Sequence, residues 1–104
     1  MGNKKFRCKI TDNVKIIYKI DTYKGKIIYF MIQLVYNYND IDYNIVRYDS
    51  SHNIPHKHLY YKGEDIKEYY EYYTNEEVLN IAKGDLYNNY EIYIDEYKRR
   101  YIRH

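Results

Sequence analysis

Strands first and one long helix last predict an α+β fold: an antiparallel sheet of four to six strands with a C-terminal helix packed on one face. Two observations carry this expectation. Up to Tyr61 the apolar residues come in short alternating or continuous runs that stop at Gly, Asn, Asp or Pro. From Thr74 onward the apolar spacing changes to three and four, the period of a helix. No linker and no repeat interrupts the 104 residues, so the chain is expected to form a single domain over residues 1–104.

Phe6–Ile10 reads as a short edge strand. In Val14–Ile20, Val14, Ile16, Tyr18 and Ile20 point one way and Lys15 and Lys19 the other, the pattern of a half-buried strand. A turn is expected at Asp21–Gly25. Lys26–Tyr36 is apolar on both parities, with Ile28, Phe30, Ile32 and Leu34 on one face and Ile27, Tyr29, Met31 and Val35 on the other. Such a strand is expected to be central and covered on both sides. Asn37–Asp40 turns the chain into a strand over Ile41–Tyr48, and Pro55 closes a loop before a strand over His56–Tyr61. Residues 64–73 fit either a helix, through Ile66, Tyr69, Tyr70 and Tyr73, or a hairpin turned at Lys62-Gly63. Thr74 and Glu77 have capping-box spacing. The helix they open, over residues 75–101, carries Leu79, Ala82, Leu86, Tyr90, Tyr93, Tyr97 and Tyr101 on one stripe. Gly84 weakens it by about 1 kcal/mol relative to Ala, so it either runs through or restarts at Asp85.

Composition narrows the function classes. Apolar residues make up 45% and charged residues 31%, as in a folded globular chain. No apolar run reaches the roughly 20 residues that span a bilayer. No signal-peptide segment follows Met1, and the single Cys8 cannot pair within the chain, so a cytoplasmic location and no membrane partner are expected. Charge is uneven. Residues 1–26 hold eight Lys or Arg against two Asp, and residues 64–77 hold six Asp or Glu against one Lys. This fits solvated faces, or a basic surface for RNA, DNA or an acidic partner. The 18 tyrosines share AT-rich codons with the abundant Ile, Lys and Asn, which makes any single Tyr a poor clue.

Chemistry concentrates between Arg47 and Tyr60. His52, His56 and His58 fall within seven residues, just after Arg47 and Asp49. On a strand Arg47 and Asp49 share a face, as do His56, His58 and Tyr60, and the short loop between them keeps the two segments close. Arg47, Asp49, His56 and His58 are therefore expected to converge in one concave site. Two mechanisms fit. In the first, the His56–His58 pair together with His52 or Asp49 binds Zn²⁺ or another divalent metal, which lowers the pKa of a bound water. Alternatively, without metal, one His acts as base and another as acid while Arg47 or Lys57 stabilises a phosphate-centred transition state, the logic of a ribonuclease. The same residues also fit a polar sheet face whose Arg47–Asp49 pair is worth at most about 1 kcal/mol.

The segment Arg47-Tyr48-Asp49, His52, Pro55-His56-Lys57-His58 resembles the pattern of small TumE-like toxin-antitoxin proteins and their archaeal and bacterial relatives. A looser similarity continues through Ala82-Lys83-Gly84-Asp85-Leu86 and Asn89-Tyr90-Glu91, so that it spans residues 27–101. This chain has Asn53 where those relatives often have Gly. The resemblance implies a toxin-like component encoded beside a DNA-binding antitoxin. Together with the residues, it leads to a ribonuclease or phosphodiesterase acting through Arg47, Asp49, His52, His56 and His58. The alternative is a non-catalytic or metal-stabilised interaction protein. Strand 26–36 adds the expectation that a homodimer contact or a bound partner covers its second face, unless residues 64–73 form a helix there.

Overall fold

The structure is a computed structural model, and it describes residues 2–51, 54–61 and 67–102. Six strands form one antiparallel meander in chain order: β1 (Gly2–Thr11), β2 (Val14–Tyr23), β3 (Lys26–Tyr38), β4 (Ile41–Asp49), β5 (His56–Leu59) and β6 (Lys67–Tyr69). The helix α1 (Asn75–Tyr101) then packs back on β3 and β4. The fold is the expected α+β sheet with a C-terminal helix on one face.

Two hairpins are set by two-residue turns with φ positive at both positions: Lys24 (50°) with Gly25 (77°), and Asn39 (52°) with Asp40 (64°). Such turns match the twist of the flanking strands, so pairing persists up to the turn itself. For that reason Asp21–Tyr23, expected to lie in a turn, are paired residues of β2. At the other edge β1 begins at Gly2 rather than Phe6, because its whole length pairs with β2.

The face under α1 is the core. Val14, Ile16, Tyr18, Phe30, Ile32, Leu34, Val46 and Tyr48 meet Val78, Leu79, Ala82, Leu86 and Ile94 of the helix. Phe30, Ile32 and Leu34 are fully buried, each worth about 1.5–3 kcal/mol relative to exposure. Of the expected helical stripe, Leu79, Ala82 and Leu86 are buried and Tyr90, Tyr93 and Tyr97 pack at its margin, while Tyr101 is exposed. The helix runs unbroken through Gly84. Its start is the expected capping box: Glu77 N–H donates to Thr74 Oγ1 at 3.1 Å, and Thr74 N–H donates to Glu77 Oε1 at 2.9 Å.

β3 departs from simple alternation. Asp21 pairs with Tyr29 but Thr22 pairs with Ile27, so Ile28 is an extra, bulged residue. Ile28 is therefore 49% exposed, and Ile27 packs against the core instead. The first turn of α1 holds this point. Ile27 N–H donates to Glu76 Oε2, and Asn75 Nδ2 donates to Ile27 O, both at 2.9 Å.

The other face of the sheet meets no helix among the described residues. The helix considered for residues 64–73 does not form over 67–69, which pair with β5 as β6; residues 62–66 lie outside the described part. The second side of β3 is covered only in part: Gln33 and Val35 are buried, whereas Tyr29 and Met31 are half-buried. No helix among the described residues is long and apolar enough to cross a membrane.

Candidate functional site

Strand pairing places the sequence-selected residues. Arg47 sits opposite His58, and Asp49 opposite His56. Directly paired residues share a face, so all four side chains leave the sheet on its helix-free side. His52 lies outside the described residues.

Asp49 is the organiser. One carboxylate oxygen, Oδ2, accepts from Arg47 Nε at 2.7 Å. The other, Oδ1, accepts from Ser51 N–H at 3.0 Å and Ser51 Oγ at 2.7 Å, and lies 3.2 Å from His56 Nε2. Burial pushes this carboxyl up, but the Ser51 bonds and the charges of His56 and Arg47 outweigh it and hold it below the usual carboxylate range. Burial likewise acts against the Arg47 charge, and Asp49 and Tyr60 overcome it, so that guanidinium is held more firmly charged than usual.

The two histidines are not equivalent. His56 is 5% exposed, its ring lies 5.5 Å from that of Tyr69, and its Nδ1 faces Ile54 O at 3.0 Å. Its two ring nitrogens thus face the Ile54 carbonyl and the Asp49 carboxylate. His58 is half-buried, with its ring centroid 4.3 Å from that of Tyr60, and lies directly across the strands from Arg47, whose side chain is partly exposed. The arrangement thus separates a buried Asp49–His56 support from an accessible Arg47–His58 pair on an open sheet face. Among the described residues no group of three or more His, Cys, Asp or Glu is disposed to hold a metal ion.

Lys57 does not join this site. Alternation along β5 sends it to the opposite face, where it pairs with Tyr48 across the strands. There its ammonium lies 3.2 Å from Asp85 Oδ2, donates to Tyr93 Oη, and sits over the rings of Tyr48 (5.5 Å) and Tyr93 (4.8 Å). Asp85 also accepts from Tyr48 Oη and Tyr93 Oη, both at 2.6 Å, and from Asn89 Nδ2 at 2.9 Å. Burial pushes the Asp85 carboxyl up, but these donors and Lys57 hold it below the ordinary range. Burial and donation to Asp85 push the Tyr48 and Tyr93 phenols well above theirs. A phosphate-binding role for Lys57 is thereby replaced by a polar clasp between helix and sheet. Its signal in the sequence was the polar pair Asp85 and Asn89, spaced i, i+4 beside the apolar stripe.

A six-stranded antiparallel meander, closed on one side by a C-terminal helix and carrying Arg47, Asp49, His56 and His58 on the other, defines a small α+β sheet protein. Residues 1–102 match the family of a domain of unknown function, DUF7718, and the chain belongs to that family. No match emerges from comparison with curated proteins or with solved structures.

Proposed function

We propose that this protein is a toxin-like ribonuclease that cleaves a phosphodiester at Arg47 and His58 without a metal. The observation that carries the reading is the cross-strand pair itself. It puts Arg47 and His58 at directly opposite strand positions on the helix-free face, with Asp49 holding the Arg47 guanidinium. In this mechanism His58 takes the proton of a 2′-hydroxyl. The 2′-oxygen attacks phosphorus, the bond from phosphorus to the 5′-oxygen breaks, and the departing oxygen takes a proton from water. Arg47 neutralises the charge that builds on the phosphoryl oxygens. His56 is a positioning residue, because both of its nitrogens are already engaged. The similarity of the Arg47–His58 segment to TumE-like proteins supports a toxin role with a DNA-binding antitoxin as partner.

The test uses the dinucleotide UpA and its 2′-deoxy analogue, with a chelator present. The expected result is a 2′,3′-cyclic phosphate product from UpA alone, and a loss of about 10²–10⁴-fold in His58→Ala. Expression of the wild-type chain, but not His58→Ala, should arrest growth. An inactive wild-type protein whose His58→Ala form is equally toxic would sink the reading in favour of a non-catalytic binding protein.

A further inference from the structure

The helix-free face carries a second feature, far from Arg47 and His58 across the sheet. Strand pairing stacks Lys5 against Lys19, Arg7 against Ile17, and Lys9 against Lys15 on three successive rungs of that face. Like charges placed directly opposite each other cost stability. Two of these cations are offset: Lys9 bridges Asp12 at 3.1 Å, and Lys15 bridges Asp42 at 2.9 Å. Lys19 lies 5.9 Å from the centre of the Tyr29 ring. Among the described residues no carboxylate stands within ion-pair distance of Lys5, Arg7 or Lys19, and all three are exposed. The rung that holds Arg7 runs on through Ile17 and Gln33 to Arg47 and His58. It crosses three interstrand spacings between Arg7 and Arg47, roughly 14 Å in all. The neighbouring rung adds the half-buried Met31, and Tyr29 lies one rung further. At the outer end a cleft of 260 Å³ opens between Arg7, Lys9 and Lys15, with the Asp12 and Asp42 carboxylates also in its wall.

We infer that single-stranded RNA crosses this face transverse to the strands, anchored by the Lys5, Arg7 and Lys19 bank while its scissile phosphate sits at Arg47 and His58. The inference rests on the reading of Arg47 and His58 given above. The bank supplies phosphate contacts that are independent of base identity. Ile17, Met31 and Tyr29 between the two charged ends form an apolar and aromatic floor for unstacked bases, which a duplex does not offer. An acidic protein would match the charge but gives no reason for that floor.

The experiment compares the wild-type chain with a Lys5→Gln, Arg7→Gln, Lys19→Gln triple variant. Binding is followed by fluorescence anisotropy with a labelled 2′-O-methyl 12-mer, the same 12-mer as a duplex, and polyglutamate as competitor. The triple variant should bind the single strand at least tenfold more weakly. The slope of log K against log salt should shrink by about 2, at roughly 0.7 per lost phosphate contact. UpA cleavage should keep its kcat, because the dinucleotide does not reach the bank. The variant should also melt no lower than wild type, since like-charge repulsion has been removed. Unchanged binding in the variant, equal or tighter binding of the duplex, or polyglutamate competing as well as RNA would each overturn the inference. Lost UpA cleavage in the wild type, with anisotropy as expected, would remove the catalytic reading and leave the RNA path standing.

Discussion

His56 and Lys57 are neighbours in the chain and belong to different regions of the molecule. His56 faces the helix-free side, where Asp49 gathers Arg47, Ser51 and the imidazole around one carboxylate. Lys57 faces the helix, where Asp85 gathers an ammonium, two phenols and an amide. Both clusters are built on a carboxylate, buried at Asp49 and half-buried at Asp85, yet their surroundings differ. The Asp85 cluster is closed between two layers, with Tyr48 only 1% exposed, and every polar partner in it is a neighbour in the fold. The Asp49 cluster has one outward side, where the Arg47 side chain stays 35% exposed beside His58. An enclosed cluster fixes how helix and sheet dock. One with an outward side leaves a guanidinium and an imidazole within reach of a ligand.

This contrast breaks most sharply where burial is complete. Phe30→Ala should cost about 3–5 kcal/mol, whereas Ile28→Ala, two positions away on the bulge, should stay within about 0.5 kcal/mol. Urea unfolding of both variants checks this, and equal costs would contradict the bulge. Asp85→Ala should cost a similar amount, about 3–5 kcal/mol, because it strands the Lys57 ammonium and removes the carboxylate that accepts from two phenols. Adding Lys57→Met to that variant should recover part of the loss. Additive costs in the double-mutant cycle would mean that the two groups do not interact.

Acid titration compares the two carboxylates directly. Asp49 and Asp85 are both held below the ordinary carboxylate range in the folded chain. Their contribution is therefore complete above the unfolded value of about 3.9 and is lost as pH falls through the lower folded values. Stability measured in urea at pH 7 and pH 3 should drop on acidification, and Asp85→Asn should flatten that dependence. A wild type as stable at pH 3 as at pH 7 would contradict the assignment. The smallest expected effect is on the open side. His58→Ala should change stability by no more than about 0.5 kcal/mol while removing cleavage. A large fall in melting temperature would make His58 a structural residue instead.

Much of this molecule was legible in the residues alone. Alternation in Val14–Ile20, the places of the turns ending at Gly25 and Asp40 and the Thr74–Glu77 capping box are local, and local geometry follows from short stretches of chain; the two-residue length of those turns was not read, because pairing with the neighbouring strand sets it. The shared face of Arg47 with Asp49, and of His56 with His58, was equally readable, since a strand has a period of two. Other features needed the tertiary structure. The bulge at Ile28 inverts the facing of Ile27, and only the register against β2 and the bonds from Asn75 and Glu76 fix it. Parity separates Lys57 from its histidine neighbours. Its partner Asp85, however, lies 28 residues away on the helix, a contact that no local period encodes. The cation bank likewise arises only when β1 lies against β2, because Lys5 meets Lys19 through pairing rather than through spacing. Sequence sets which way a side chain points from its own element; packing and register decide what it meets there.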